Sequence, residues 1–179
     1  MKDLIEKYIR LVIKSGATDA KLIHPSSVVT APWVRIKCQF GCPAYGQSYC
    51  CPPDTPDHHQ TREMLDSYQR AILCHVEAPK IQGKKRQFKK YYTKLVDLEG
   101  LVFKDGYYKA FLFLSGPCRL CGECEKMNEK PCQHGYKARP SMESCGIDVF
   151  QTARNNGLSI DTLSKPDDTQ NVYCLLMVD

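Results

Sequence analysis

The sequence predicts an α/β fold: a single domain, residues 1–179, with a mixed, largely parallel sheet, flanking helices and two cysteine-rich loops. Three observations predict it. The apolar runs Ala71–Val76, Tyr108–Leu114 and Val172–Val178 have the length and composition of buried strands. Segments of helical spacing separate them, the pattern of right-handed βαβ crossovers. Two stretches dense in cysteine, 38–56 and 116–134, each follow a predicted strand.

In chain order, Leu4, Ile5, Tyr8, Ile9, Val12 and Ile13 make one apolar stripe over Asp3–Ser15, closed by Gly16, so a first helix is expected there. Lys21–His24 and Trp33–Lys37 read as short strands around a loop holding Pro25 and Pro32. Residues 38–56 hold four cysteines, four prolines and two glycines, too broken for a regular element. A helix is expected over His58–Arg70 and another over Gln87–Phe103, with Tyr91, Leu95, Leu98 and Val102 on one face. Pro140–Asn155 is expected to be helical, from Pro140 or Ser141 to Gly157. In a parallel sheet both cysteine loops emerge at the carboxyl edge, where such folds place their sites, and can meet there.

The chain has 179 residues, 42% hydrophobic and 25% charged, which fits a soluble globular protein and neither a disordered nor a membrane-spanning one. Met1–Leu22 has no apolar core of a secretory signal, and no run approaches the roughly 18 apolar residues of a membrane span. A cytoplasmic location is therefore expected, where reducing thiol pools disfavour disulfides. The net charge of +5 and the run from Lys84 to Lys90 raise nucleic-acid binding, but no recognition motif accompanies them. Two four-iron clusters, each carrying about two negative charges with its thiolates, would bring the sum to about +1.

Eleven cysteines are then the informative residues. Cys118-Arg-Leu-Cys121-Gly-Glu-Cys124, followed by Cys132, lets three thiolates curl around one face of an iron–sulfur cube, as in bacterial ferredoxin loops. A tetrahedral zinc site usually takes its pairs from two separate knuckles. Seven residues separate Cys132 from Cys124, where the ferredoxin run has about three. It either closes the same cube or reaches a second one.

In Cys38-Gln-Phe-Gly-Cys42-Pro and Cys50-Cys51-Pro52, cysteine precedes proline, which holds the loop and removes a backbone donor. Adjacent Cys50 and Cys51 point in opposed directions in extended backbone, and Cys51 is the predicted ligand. Cys145, at the expected start of the Pro140–Asn155 helix, gains thiolate character from the helix dipole. Cys74 and Cys174 lie in apolar strands and read as small buried hydrophobes. Eight candidate ligands remain, Cys38, Cys42, Cys51, Cys118, Cys121, Cys124, Cys132 and Cys145, a number that suits two [4Fe–4S] clusters.

The segments VRIKCQFGCPAYGQSYCCPP, CRLCGECEKMNEKPC and ARPSMESCGIDVFQTA resemble a family of predicted metal-binding proteins of anaerobic bacteria and methanogens, domain of unknown function 2284. The resemblance covers nearly the whole chain. It implies metal binding, names no reaction, and brings an anaerobic host that suits oxygen-sensitive clusters. The expected role is electron transfer to or from a partner redox enzyme. One alternative is an enzyme in which an iron keeps an open position for a substrate of unknown class, since the first loop supplies only three candidate ligands, Cys38, Cys42 and Cys51. The other is a zinc-stabilised binding module using the basic helix. His58, His59 and His134 are further ligand types, Arg119, Lys137 and Arg139 flank the second loop, and Tyr45, Tyr49 and Tyr136 are candidates to shield a cluster from water. No phosphate loop, dinucleotide fingerprint or Ser–His–Asp pattern stands out.

Overall fold

The computed structural model describes residues 2–78, 84–165 and 168–179. Helix α1 (Lys2–Ser15) leads into β1 (Asp19–Ile23), and α2 (Pro32–Gly41) opens the first cysteine loop. Helix α3 (His58–Asp66) precedes β2 (Ala71–Ala78), and α4 (Lys84–Lys104) precedes β3 (Phe111–Phe113) and the second cysteine loop. A 3-10 turn (Glu143–Cys145), α5 (Val149–Asn155) and β4 (Gln170–Met177) complete the order.

The expected largely parallel sheet is corrected here. The strands run in the order β1-β2-β4-β3, and every hydrogen-bonded pair is antiparallel. The predicted crossover is not imaginary: β2 and β3 both lie antiparallel to β4, so they run in the same direction, joined through α4. But β4, the last strand, inserts between them and takes the backbone hydrogen bonds a parallel pair would have shared. Apolar runs and helical spacers locate strands without naming their neighbours.

Alternation along the strands divides the interior in two. Ile72, Cys74, Leu112, Cys174 and Leu176 face α1 and α4, meeting Tyr8, Val12, Leu95 and Val102. Leu73, Phe113, Tyr173, Leu175 and Met177 face the other way, against Leu65 of α3, Ala153 of α5 and Met142, Cys145 and Ile147 around the 3-10 turn. Cys74 and Cys174 are register partners in the buried centre of the sheet. Burial pushes the Cys74 thiol up to about 12 and Cys174 well above its usual range.

Two further expectations change. Trp33–Lys37 is part of a helix, because Pro32 occupies its first turn, where a missing N–H costs nothing. The Pro140–Asn155 helix is broken: only Val149–Asn155 is α-helical. Gly146 ends the 3-10 turn at φ +76°, and a Cβ there would stand 2.8 Å from the Cβ of His58. Only glycine meets both demands. Asp148 then caps a fresh start, accepting from the Gln151 N–H. Cys145 consequently lies before the α5 N-terminus, and the dipole argument for its thiolate fails.

The centre of the sheet should carry the stability. With metal content held constant, Leu175→Ala, at a fully buried position, should cost about 2–5 kcal/mol in urea unfolding. Leu22→Ala, at an exposed position of β1, should stay within about 0.5 kcal/mol. Equal losses would contradict the assigned register.

Candidate metal centre

Each cysteine loop is held at its neck. The second leaves β3 at Leu114 and returns beside it: Leu114 N–H donates to Pro140 O (2.8 Å) and Met142 N–H to Leu114 O (2.9 Å). Tyr92 donates to Ser115 O (3.0 Å), and Arg139 closes the return by pairing with Glu99 at 2.7 Å. The first loop starts on the last turns of α2, which packs against the Glu143–Cys145 turn. Its far end is tied to the same turn, Thr55 Oγ1 donating to Ser144 O at 2.6 Å, and Arg35 spans it by donating to Thr55 O and Pro56 O.

The loops also bind each other. Tyr49 donates to Lys130 O at 2.8 Å, and Lys126 forms an ion pair with Asp54. Between them lies a cavity of about 380 Å³ lined by Cys50, Cys51, Cys118, Cys121, Cys124, Cys132 and His134. Among the described residues no three cysteine, histidine or carboxylate side chains converge closely enough to hold one metal ion. The thiols ring a space.

Electrostatics sort the thiols into two neighbourhoods. Cys50 and Cys118 act on each other: the neighbouring Cys50 thiol draws the Cys118 thiol below its usual range against the effect of burial, with the charge of His134 helping. Cys50 rises correspondingly. Cys121 is raised by burial and by the neighbouring charges of Cys118, Cys124 and Cys132. In the other neighbourhood, burial and then Cys42 raise Cys38, while burial, Cys42 and Cys38 raise Cys51. Cys118 acts on Cys51 too, so the two groups adjoin.

The candidates from the sequence are thus brought together unevenly. Cys118, Cys121, Cys124 and Cys132 share one space, and Cys38, Cys42 and Cys51 form the second group. Cys145 is buried, its thiol 3.9 Å from the Ser144 hydroxyl and pushed up to about 12 by burial; Arg35 and Glu143 act on it, as they do on Cys38. Cys50, set aside in the sequence, stands in the second-loop cavity. Cys50 and Cys51 both line that cavity, in turn backbone where the alternation used to reject Cys50 does not apply, while Cys51 also interacts with Cys38 and Cys42. His134 lines the thiol cavity, whereas His58 and His59 pack against each other, tilted by 40°, at the start of α3. In the basic run, the side chains of residues 84–87 lie outside the described ones; Lys89 donates to Leu120 O.

In chelator-treated, reduced chain, iodoacetamide should modify Cys38, Cys42, Cys51, Cys118, Cys121, Cys124 and Cys132 at least ~100-fold faster than Cys74 and Cys174, which react only after sheet opening. Mass spectrometry of digests gives the order, and comparable rates would refute the separation of loop from core thiols.

No helix among the described residues is long and apolar enough to cross a membrane. No curated protein and no solved structure matches the chain. Residues 21–178, a span holding all eleven cysteines, match the family described as predicted metal-binding protein, DUF2284. The chain belongs to this family of predicted metal-binding proteins.

Proposed function

We propose that the chain is a single-domain iron–sulfur protein that carries two [4Fe–4S] clusters and exchanges electrons with a partner redox protein in the cytoplasm of an anaerobe. One observation carries the proposal: the tandem cysteines of the second loop line a common cavity with Cys50 and Cys51. Such a lining suits a group several ångströms across. Cys118, Cys121, Cys124 and Cys132 would hold one cluster, and Cys38, Cys42 and Cys51 the other, with Cys145 as its fourth thiolate. A bound cluster supplies one-electron transfer at a potential set by charge, hydrogen bonds and exposure.

The protein's own residues tune that chemistry. Cys50 stands beside Cys118 on the cavity wall, and its thiol favours the thiolate form of Cys118. Tyr49, by linking the loops at Lys130, helps cover the space between them.

A second reading, an enzyme with an open iron position, is favoured by one observation. Cys145 is the sole proposed ligand of the first group outside the loops, and its thiol is raised by burial.

Protein prepared without oxygen should be brown and contain about eight iron and eight sulfide per chain, measured by elemental and sulfide analysis. A colourless, zinc-containing protein would overturn the proposal.

Cys145→Ser and Cys50→Ala should differ. Cys145→Ser should leave one normal [4Fe–4S] signal and one [3Fe–4S] signal in electron paramagnetic resonance. Cys50→Ala should keep both clusters and shift one potential. Loss of a cluster in Cys50→Ala would make Cys50 a ligand, and an unchanged Cys145→Ser would favour the enzyme.

A further inference from the structure

A second and larger cavity, about 590 Å³, lies beside the first thiol group, lined by Cys38 and Cys42 together with Trp33 and Lys37 of α2. Its volume is in the range of small-molecule sites. Phe88, Tyr92 and Phe150 add aromatic wall. The apolar surface alone would suit many occupants; two polar groups narrow the choice.

Arg119 and Glu143 both line this cavity, from the second loop and from the 3-10 turn. Arg119 Nε and Glu143 Oε2 are buried and have no hydrogen-bond partner among the described residues. The neighbouring Arg139 behaves differently, its Nε donating to both carboxylate oxygens of Glu99 at 3.0 and 2.7 Å. A buried polar atom without a partner is costly, and two such atoms, on half-buried side chains of opposite sign along one cavity wall, call for a ligand that answers both. A simple anion would satisfy Arg119 but leave Glu143 facing a like charge. A simple cation would do the reverse, and an apolar molecule would satisfy neither.

We propose that this cavity binds a small amphiphilic carboxylic acid that also carries a hydroxyl or amino group. Its carboxylate accepts from Arg119 with Lys37 near by, its O–H or N–H donates to Glu143, and its apolar body lies against Trp33, Phe88 and Phe150. Such a ligand rests beside Cys38 and Cys42, at the edge of whatever those thiols hold, but its binding does not depend on the iron–sulfur proposal.

Calorimetric titration of the full chain, purified without oxygen, tests this with three probes of similar size. 3-Phenyllactate has both polar groups, 3-phenylpropionate lacks the hydroxyl, and 2-phenylethanol lacks the carboxylate. Phenyllactate should bind saturably, and each of the others at least about tenfold more weakly. Arg119→Met should weaken both acids alike, whereas Glu143→Met should reduce phenyllactate to the level of phenylpropionate, with near-ultraviolet circular dichroism unchanged. No saturable heat with phenyllactate, equal affinity for the three probes, or folded variants that bind as the native chain does would each overturn the proposal. If a variant fails to fold, the three-probe comparison on the native chain decides. Iron content measured on the same sample separates the two proposals: an iron-free chain that still prefers phenyllactate retains this site and loses the clusters.

Discussion

A thiol is a metal ligand only as thiolate, and thiolates crowded together repel one another. That repulsion is the constraint around which the two loops are built. Beyond the effect of burial, Cys42 raises the proton affinity of Cys38, Cys42 and Cys38 raise that of Cys51, and Cys118, Cys124 and Cys132 raise that of Cys121. Flexible loops would relieve the strain by spreading. These do not have that freedom, because each is pinned at both ends and the two are tied together by Tyr49–Lys130 and Lys126–Asp54. A bound cation, or a cluster with cationic iron, replaces the protons and turns repulsion into attraction.

The pins reach deep into the fold. The return of the second loop beside Leu114 extends the edge of the sheet by one parallel bridge to Ser141. The pair of half-buried Arg139 with buried Glu99 then secures that return to α4; burial raises the Glu99 carboxyl, and Arg139 opposes the shift. The first loop is anchored through the Glu143–Cys145 turn, whose carbonyls accept from Thr55 and Thr61. One short turn therefore positions the first loop, contributes Cys145 to the apolar core, and sends Glu143 into the larger cavity.

The segment 115–119 forms a wall between the two cavities. Ser115, Gly116 and Arg119 line the larger one, and Pro117 and Cys118 the thiol-ringed one. A molecule held at Arg119 is consequently one residue away from Cys118 in the chain. Cavities joined by so short a segment are placed to influence each other.

The sequence by itself determined the helices α1 and α4, the strands β2 and β4, and the two loops in which chemistry concentrates. These are local properties: apolar periodicity, proline and glycine density, and cysteine spacing act over a few residues. What it misassigned depended on neighbours distant in the chain. The insertion of β4 between β2 and β3 turned an expected parallel sheet antiparallel, a choice made by pairing energy and not by any strand's own composition. Gly146, forced by the approach of His58, broke an expected helix and placed Cys145 ahead of α5. Cys50 was legible as a thiol but not as a neighbour of Cys118, 68 positions on in the numbering. Only the tertiary structure brings the two loops face to face, because the hydrogen bonds and ion pair that join them exist only once the sheet has fixed both necks.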